Sequence, residues 1–199
     1  MRNKVYSVLI ALWAACAVPQ SVAGDALPAE HTFGAIADCQ YCDGNSRGDR
    51  MYALSKQKLA DCVTEFNTMP LDFVTHLGDF IERDFKNFDV LNPIFDQLTM
   101  PKVHVLGNHD FSVADHLKKD VPAKLGMPAK YYDYEVKGWR YVVLDGNDVS
   151  FHAYPDGSAE AKHASEYYIE NKISSSKWNG AIGAPQLAWL KTVLEQAQE

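Results

Sequence analysis

An α/β fold is predicted by three observations. Short apolar runs recur along the first half of the chain. A helical pattern follows the first two of them, and each run stops abruptly at a polar, chemistry-bearing cluster. The first run, Phe33–Ala37, stops at Asp38. A polar loop through Asp43, Gly44, Asn45, Ser46 and Gly48 leads to a predicted helix over Arg50–Phe66, with Leu54, Leu59, Cys62, Val63 and Phe66 on one face. Pro70 ends that unit. The second run, Phe73–Leu77, stops at Gly78-Asp79, and the spacing predicts a helix over Asn87–Leu98 that Pro93 would kink or divide. Pro101 introduces the third run, Lys102–Leu106, which ends at Gly107-Asn108-His109-Asp110. Repeated strand–loop–helix units are the rhythm of an α/β sheet.

Beyond residue 130 the pattern changes. Tyr131–Val136 and Arg140–Leu144 are β-rich and flank Lys137-Gly138-Trp139, which predicts a hairpin. Residues 146–183 are polar and irregular apart from a possible helix at Ser158–Glu170. Gln186–Ala197 closes the chain as an amphipathic helix, with Pro185 near its first turn.

The chain of 199 residues, 47% of them hydrophobic, supports one compact domain. Its formal charge of −7 argues against a nucleic-acid duplex as partner. It leaves small phosphorylated substrates open, because a bound divalent cation inverts the local field. Residues 1–24 read as a signal peptide: Arg2 and Lys4, an apolar run from Val5 to Val18, then small residues at Ser21, Ala23 and Gly24. The run is too short to span a bilayer as a helix. The expectation is therefore a cleaved leader, a domain over 25–199, a secreted or periplasmic protein, and no membrane association after cleavage. Cys16 would leave with the leader, so Cys39, Cys42 and Cys62 remain. Cys39-x-x-Cys42 reads as a loop disulfide, a redox motif or two local packing thiols; no second Cys/His pair completes a zinc knuckle.

The three strand ends carry the chemistry: Asp38-x-Gln40, Gly78-Asp79 and Gly107-Asn108-His109-Asp110. Ligands of open α/β sheets bind beyond the carboxyl ends of the strands, so these clusters are expected to converge. Carboxylate and amide oxygens suit Mn²⁺, Mg²⁺ or Fe, and histidine extends the choice toward zinc. The glycines before Asp79 and Asn108 permit tight turns and close backbone approach. Asp38 and Asp79 could instead be helix caps, and His109 a structural loop histidine. His76 and His104 read as sheet-packing residues, as do Tyr131, Tyr132 and Tyr134. Arg50 and Arg83 are candidates for reaching substrate phosphates.

In this order and spacing, the motifs resemble the signature of calcineurin-like metallophosphoesterases, over about Phe33 to Ala197. The resemblance implies a four-layer α/β/β/α sandwich and two divalent metal ions. It assigns Asp38 to the first metal, Asp79 to a bridge between the two and Asn108 to the second, and places His109 beside the scissile phosphate. The commonest pattern has histidine where this chain has Gln40. Gln40, within Ile36-Ala37-Asp38-Cys39-Gln40-Tyr41, resembles the branch of manganese-dependent ADP-ribose/CDP-alcohol diphosphatases. So do Trp178-Asn179-Gly180-Ala181-Ile182-Gly183 and Gln186-Leu187-x-Trp189-Leu190. An amide oxygen at Gln40 is consistent with Mn²⁺ over zinc. The implied function is metal-dependent hydrolysis of phosphoanhydride or phosphodiester bonds. The alternatives are a general phosphodiesterase, a phosphomonoesterase, or a catalytically silent metal-binding fragment. That last reading arises because the resemblance implies later histidines, including a Gly-His-x-His, and the sequence reaches Glu199 without them. The fold is accordingly expected to be incomplete at its C-terminus.

Overall fold

The computed structural model describes residues 29–44 and 47–197. The expected leader, residues 1–24, lies outside the described residues. Three parallel strands, β1 (Phe33–Ile36), β2 (Phe73–His76) and β3 (Lys102–His104), form a sheet in the order β1-β2-β3. The register sets Phe33 beside Phe73, Ile36 beside His76 and His76 beside His104. All four residues of central β2 are buried, as expected of a parallel strand covered on both faces.

Alternation along β2 divides the core. Val74 joins a cluster with the helices α1 (Ser55–Phe66) and α2 (Phe88–Phe95) through Leu59, Val63, Phe88, Leu91 and Phe95. Burying each of these large side chains contributes roughly 1.5–3 kcal/mol. Phe73 points the other way and shares a second cluster with Val103 and Val143.

α1 begins later than the spacing predicts. A backbone bridge pairs Arg47 with Arg50, and a single 3-10 turn at Tyr52–Leu54 intervenes before Ser55. α2 is also shorter than expected. A 3-10 turn at Phe85–Asn87 precedes it, capped by the Asp84 side chain, and the helix ends two residues after Pro93.

After a one-turn helix, α3 (Val121–Lys124), the chain forms the expected hairpin from β4 (Tyr132–Val136) and β5 (Trp139–Val143). Its turn is only Lys137-Gly138, with φ of 50° and 81°; two positive angles match the right-handed twist of the flanking strands. Trp139 therefore starts a strand rather than completing the turn. The hairpin packs on the parallel sheet through aromatic rings. Phe73 lies 5.0 Å from Tyr141, and Tyr134 stacks on Tyr141 at 5.2 Å. Tyr132 donates its hydroxyl to the His104 carbonyl at 2.8 Å. These tyrosines serve strand packing, as the sequence suggests.

Two helices close the chain. α4 (Ala159–Glu170) is capped by the Ser158 hydroxyl, which accepts the Ala161 N–H at 3.1 Å. α5 (Ala184–Gln196) starts with Pro185 in its first turn. The segment between β5 and α4 is irregular but held. Gln186, fully buried, accepts the Asp145 N–H at 2.8 Å and donates to the Asp145 carbonyl at 3.1 Å. The Asn147 side chain donates to the Leu106 carbonyl at 3.4 Å, which ties the segment to the end of the third strand. Two sheets and a helical layer are thus in place; the described residues do not lay out the four-layer sandwich in full. No helix among them is long and apolar enough to cross a membrane.

Candidate active site

The three strand ends converge as expected. The Asp38 N–H donates to the Gly78 carbonyl at 3.1 Å, and the Gln40 N–H to the Asp79 carbonyl at 2.8 Å. The Asp79 carboxylate accepts the His109 N–H at 2.8 Å, which joins the second strand end to the third. Asp38, Gln40 and Asp79 adopt φ of 56°, 42° and 58°, in the left-handed region that side chains other than glycine rarely enter. Such conformations cluster at functional sites because the surrounding structure over-determines them. Among the described residues none of the three is the residue that precedes and caps an α-helix, which speaks against the capping alternative for Asp38 and Asp79.

One amide joins the two carboxylates. Gln40 Nε2 lies 3.1 Å from Asp79 Oδ2 and 3.4 Å from Asp38 Oδ1. Burial pushes the Asp38 carboxyl above its ordinary range, and the neighbouring Asp79 adds to the shift, while His109 and Arg50 oppose it. Two acidic side chains this close repel, and a positive charge or a donor between them relieves the repulsion. Arg50 reaches the same group from the rim, its Nη1 donating to Gln40 Oε1 at 3.3 Å. Asn108 stands directly before the single turn His109–Phe111, half-buried, at the strand end that Asp79 holds.

Tight packing fixes this arrangement. A Cβ placed on Gly107 would lie 2.1 Å from Asp79 Oδ1 and 2.2 Å from the Asp79 nitrogen, so only glycine lets the loops meet. Asp110 supplies the lock. Wholly buried, it accepts the N–H groups of Phe80 at 2.7 Å, Gly107 at 2.9 Å, Asp79 at 3.1 Å and Ile81 at 3.3 Å. Burial pushes its carboxyl up to about 7, against the pull of those donors.

His109 has a partner that the sequence reading did not single out. Its Nδ1 lies 2.5 Å from Glu82 Oε2, a close contact without hydrogen-bond geometry. The signal lay in the spacing Gly78-Asp79-x-x-Glu82, which returns an acid to the same loop. Arg83 sits beside Glu82 at 3.7 Å, with its guanidinium 5.3 Å from the Tyr52 ring centre. His152 was also passed over. It comes from the irregular segment, and its Nε2 lies 3.0 Å from the Ser112 hydroxyl, one turn beyond His109.

The remaining candidates are structural. His76 and His104 are buried among Phe80 and Phe95. Cys39, Cys42 and Cys62 are free thiols, and burial pushes Cys39 up to about 12, far from a reactive thiolate. Local packing is therefore the reading of the Cys39-x-x-Cys42 pair that the structure bears out.

The donor set fits a hard or borderline divalent cation in its chemistry: two carboxylates brought onto one amide, with Asn108 next in sequence to the His109 N–H that Asp79 accepts. Among the described residues, no group of three or more His, Cys, Asp or Glu side chains could hold a metal ion. A bound ion would therefore draw on the amide oxygens, with Gln40 turned to present Oε1 in place of Nε2.

The chain is similar to known proteins in sequence and in fold. A manganese-dependent ADP-ribose/CDP-alcohol diphosphatase of Arabidopsis thaliana is 27% identical over 198 residues, covering 83% of this chain and 63% of the relative. Proteins of the same name from Oryza sativa subsp. japonica and Homo sapiens are 28% and 25% identical, with 61% of each covered. The chain thus spans about three-fifths of the length of these relatives. The crystal structure of a dimetal phosphatase from Danio rerio shares the fold, with a TM-score of 0.69 at 24% identity over 84% of this chain and 65% of that one. The model of the calcineurin-like phosphoesterase family matches residues 31–193, and the chain belongs to that family.

Proposed function

We propose that this chain is a metal-dependent hydrolase of phosphoanhydride or phosphodiester bonds, acting on nucleotide-diphosphate-linked substrates such as ADP-ribose or CDP-alcohols. One observation carries the reading: Asp38, Gln40 and Asp79, from two strand ends, meet beside the loop that presents Asn108 and His109. The names of the relatives favour diphosphates and manganese.

In this reading Asp38 and Gln40 would hold a first ion, Asp79 would serve both, and Asn108 would hold a second, with Mn²⁺ the preferred occupant. Paired cations supply Lewis acidity at the phosphoryl oxygens and lower the pKa of water to near neutrality. His109, in contact with Glu82, would lie beside the phosphate and stabilise developing charge or protonate the leaving oxygen. Arg50, on the exposed rim, meets the outer part of the substrate. The partner is a small phosphorylated molecule rather than a nucleic-acid duplex. The chain is proposed to be exported, secreted or periplasmic, on the strength of residues 1–24; N-terminal sequencing of protein recovered outside the cytoplasm tests this.

The activity is tested by hydrolysis of ADP-ribose, CDP-choline, a nitrophenyl phosphodiester and a nitrophenyl monoester, in chelator and after restoring Mn²⁺, Mg²⁺ or Zn²⁺. The expected result is Mn²⁺-restored cleavage of the two diphosphates ahead of both nitrophenyl esters. Preference for the monoester would replace the diphosphatase reading with a phosphomonoesterase. Metal binding without hydrolysis of any substrate would leave a catalytically silent metal-binding chain.

A further inference from the structure

His152 and the catalytic turn are joined by a short relay. Ser112 follows the turn His109–Phe111 and donates its backbone N–H to the His109 carbonyl at 2.9 Å. Its hydroxyl lies 3.0 Å from His152 Nε2. His152 is held from its own side as well, since the Ser150 hydroxyl accepts the N–H groups of His152 at 3.0 Å and Ala153 at 3.2 Å. The segment carrying it is anchored in turn by Gln186 on Asp145 and by Asn147 on Leu106. A half-buried imidazole is thus fixed at the end of the turn that carries His109, by Ser112 directly and by its own anchored segment.

The surroundings suit a neutral ring. Burial lowers the His152 pKa first; the Lys118 charge and then His109 lower it further, while Asp79 and Glu82 oppose them. Lys118 is itself buried and paired with Asp115 at 2.9 Å and the Tyr154 carbonyl at 3.0 Å, so it is committed to structure. A neutral imidazole carries one proton, and the partner of one nitrogen decides which nitrogen bears it. The Ser112 hydroxyl can donate to Nε2 or accept from it; in the tautomer in which it donates, the proton resides on Nδ1 and Nδ1–H is a donor for an anion.

Resting on the diphosphate reading above, we propose that His152, fixed by Ser112, is a substrate-binding residue that donates from Nδ1 to the second phosphate of a substrate whose first phosphate lies at His109. A monophosphate would engage His109 alone. Selectivity for diphosphate-linked molecules over simple monoesters would then reside partly in the 146–183 segment rather than in the strand-end ligands.

The test uses methylenediphosphonate, which carries two phosphonates and no cleavable bridge, and methylphosphonate, which carries one. Each is titrated into the Mg²⁺-loaded protein while the histidine ring resonances are followed by ¹H–¹⁵N correlation, assigned with the variants His109→Gln and His152→Gln. The diphosphonate is expected to move His109 and His152 with one saturation curve, and the monophosphonate to move His109 alone. His152→Gln is expected to weaken diphosphonate binding about tenfold, the scale of one hydrogen bond to a charged group, and to leave monophosphonate affinity within about twofold. Ser112→Ala keeps the ring and removes the hydroxyl that holds it, so it is expected to weaken the same ligand in the same direction should His152→Gln fold poorly. Movement of His109 without His152 overturns the inference and leaves the hydrolase reading standing. Movement of neither ring overturns both.

Discussion

Asp110 accepts the Phe80 N–H at 2.7 Å from inside the core, so the loop carrying Asp79 is fixed by the loop carrying His109. A carboxylate is an acceptor at both oxygens, and here both are used on backbone donors. Asp110→Asn turns one oxygen into a donor facing N–H groups that have no other acceptor. Its expected cost is about 2–4 kcal/mol of stability, with metal affinity weakened about 10–100-fold. Urea denaturation and Mn²⁺ titration read the two effects. An unchanged urea midpoint would show that the buried carboxylate does not hold the loops.

Gly107→Ala tests close packing rather than polarity. The added carbon meets both the Asp79 carboxylate and its backbone nitrogen, neither of which is a flexible chain end. Destabilisation of about 2–4 kcal/mol is expected, together with loss of metal-dependent hydrolysis. A fully active, equally stable variant would mean that the strand ends lie further apart than described.

The contact between Glu82 and His109 predicts a split between two variants. His109→Ala is expected to lower kcat by about 10²–10⁴, the range for a removed acid–base group. Glu82→Gln keeps the shape but loses the charge beside the ring, so a smaller fall in kcat with little change in KM is expected. If Glu82→Gln raised KM alone, Glu82 would be a substrate contact instead.

Two histidines away from the chemistry predict acid sensitivity. Burial pushes His76 down to about 3 and His104 down to about 4, so both rings are neutral in the fold. In the unfolded chain they protonate near pH 6.5. Unfolding therefore takes up protons below that pH, and stability falls as pH drops from about 6.5 toward the two folded values. The combined slope approaches roughly 2.7 kcal/mol per pH unit. Urea midpoints are expected to be level above pH 7.5 and to decline below pH 6, with a shallower decline in His104→Leu. A midpoint unchanged between pH 7.5 and 5 would contradict this.

The strand–loop–helix order and the converging ends were legible in the sequence because each depends on local periodicity and a polar stop. Helix starts were less so. The Arg47–Arg50 bridge and the turn at Tyr52–Leu54 take up residues whose apolar spacing alone reads as helix. The outer part of the site was not legible. His152 is placed by Gln186 acting on Asp145, 41 residues away, and by Ser112, 40 residues away. No pattern within a short window reports such contacts. Glu82 lay within reach of pattern reading, but its partner His109 is fixed only once Asp110 has drawn the two loops together.

The left-handed backbone at Asp38, Gln40 and Asp79 has a consequence for any attempt to improve this protein. Glycine adopts those angles with less strain, so Gln40→Gly is expected to relieve backbone strain of up to about 1 kcal/mol while deleting a donor to both carboxylates. A library screened only for heat resistance would therefore drift toward glycine at these positions and become sturdier as its chemistry disappeared. Survival of the acidic and amide side chains under such a screen would indicate that they also contribute to folding; their loss would mark them as kept for the reaction alone.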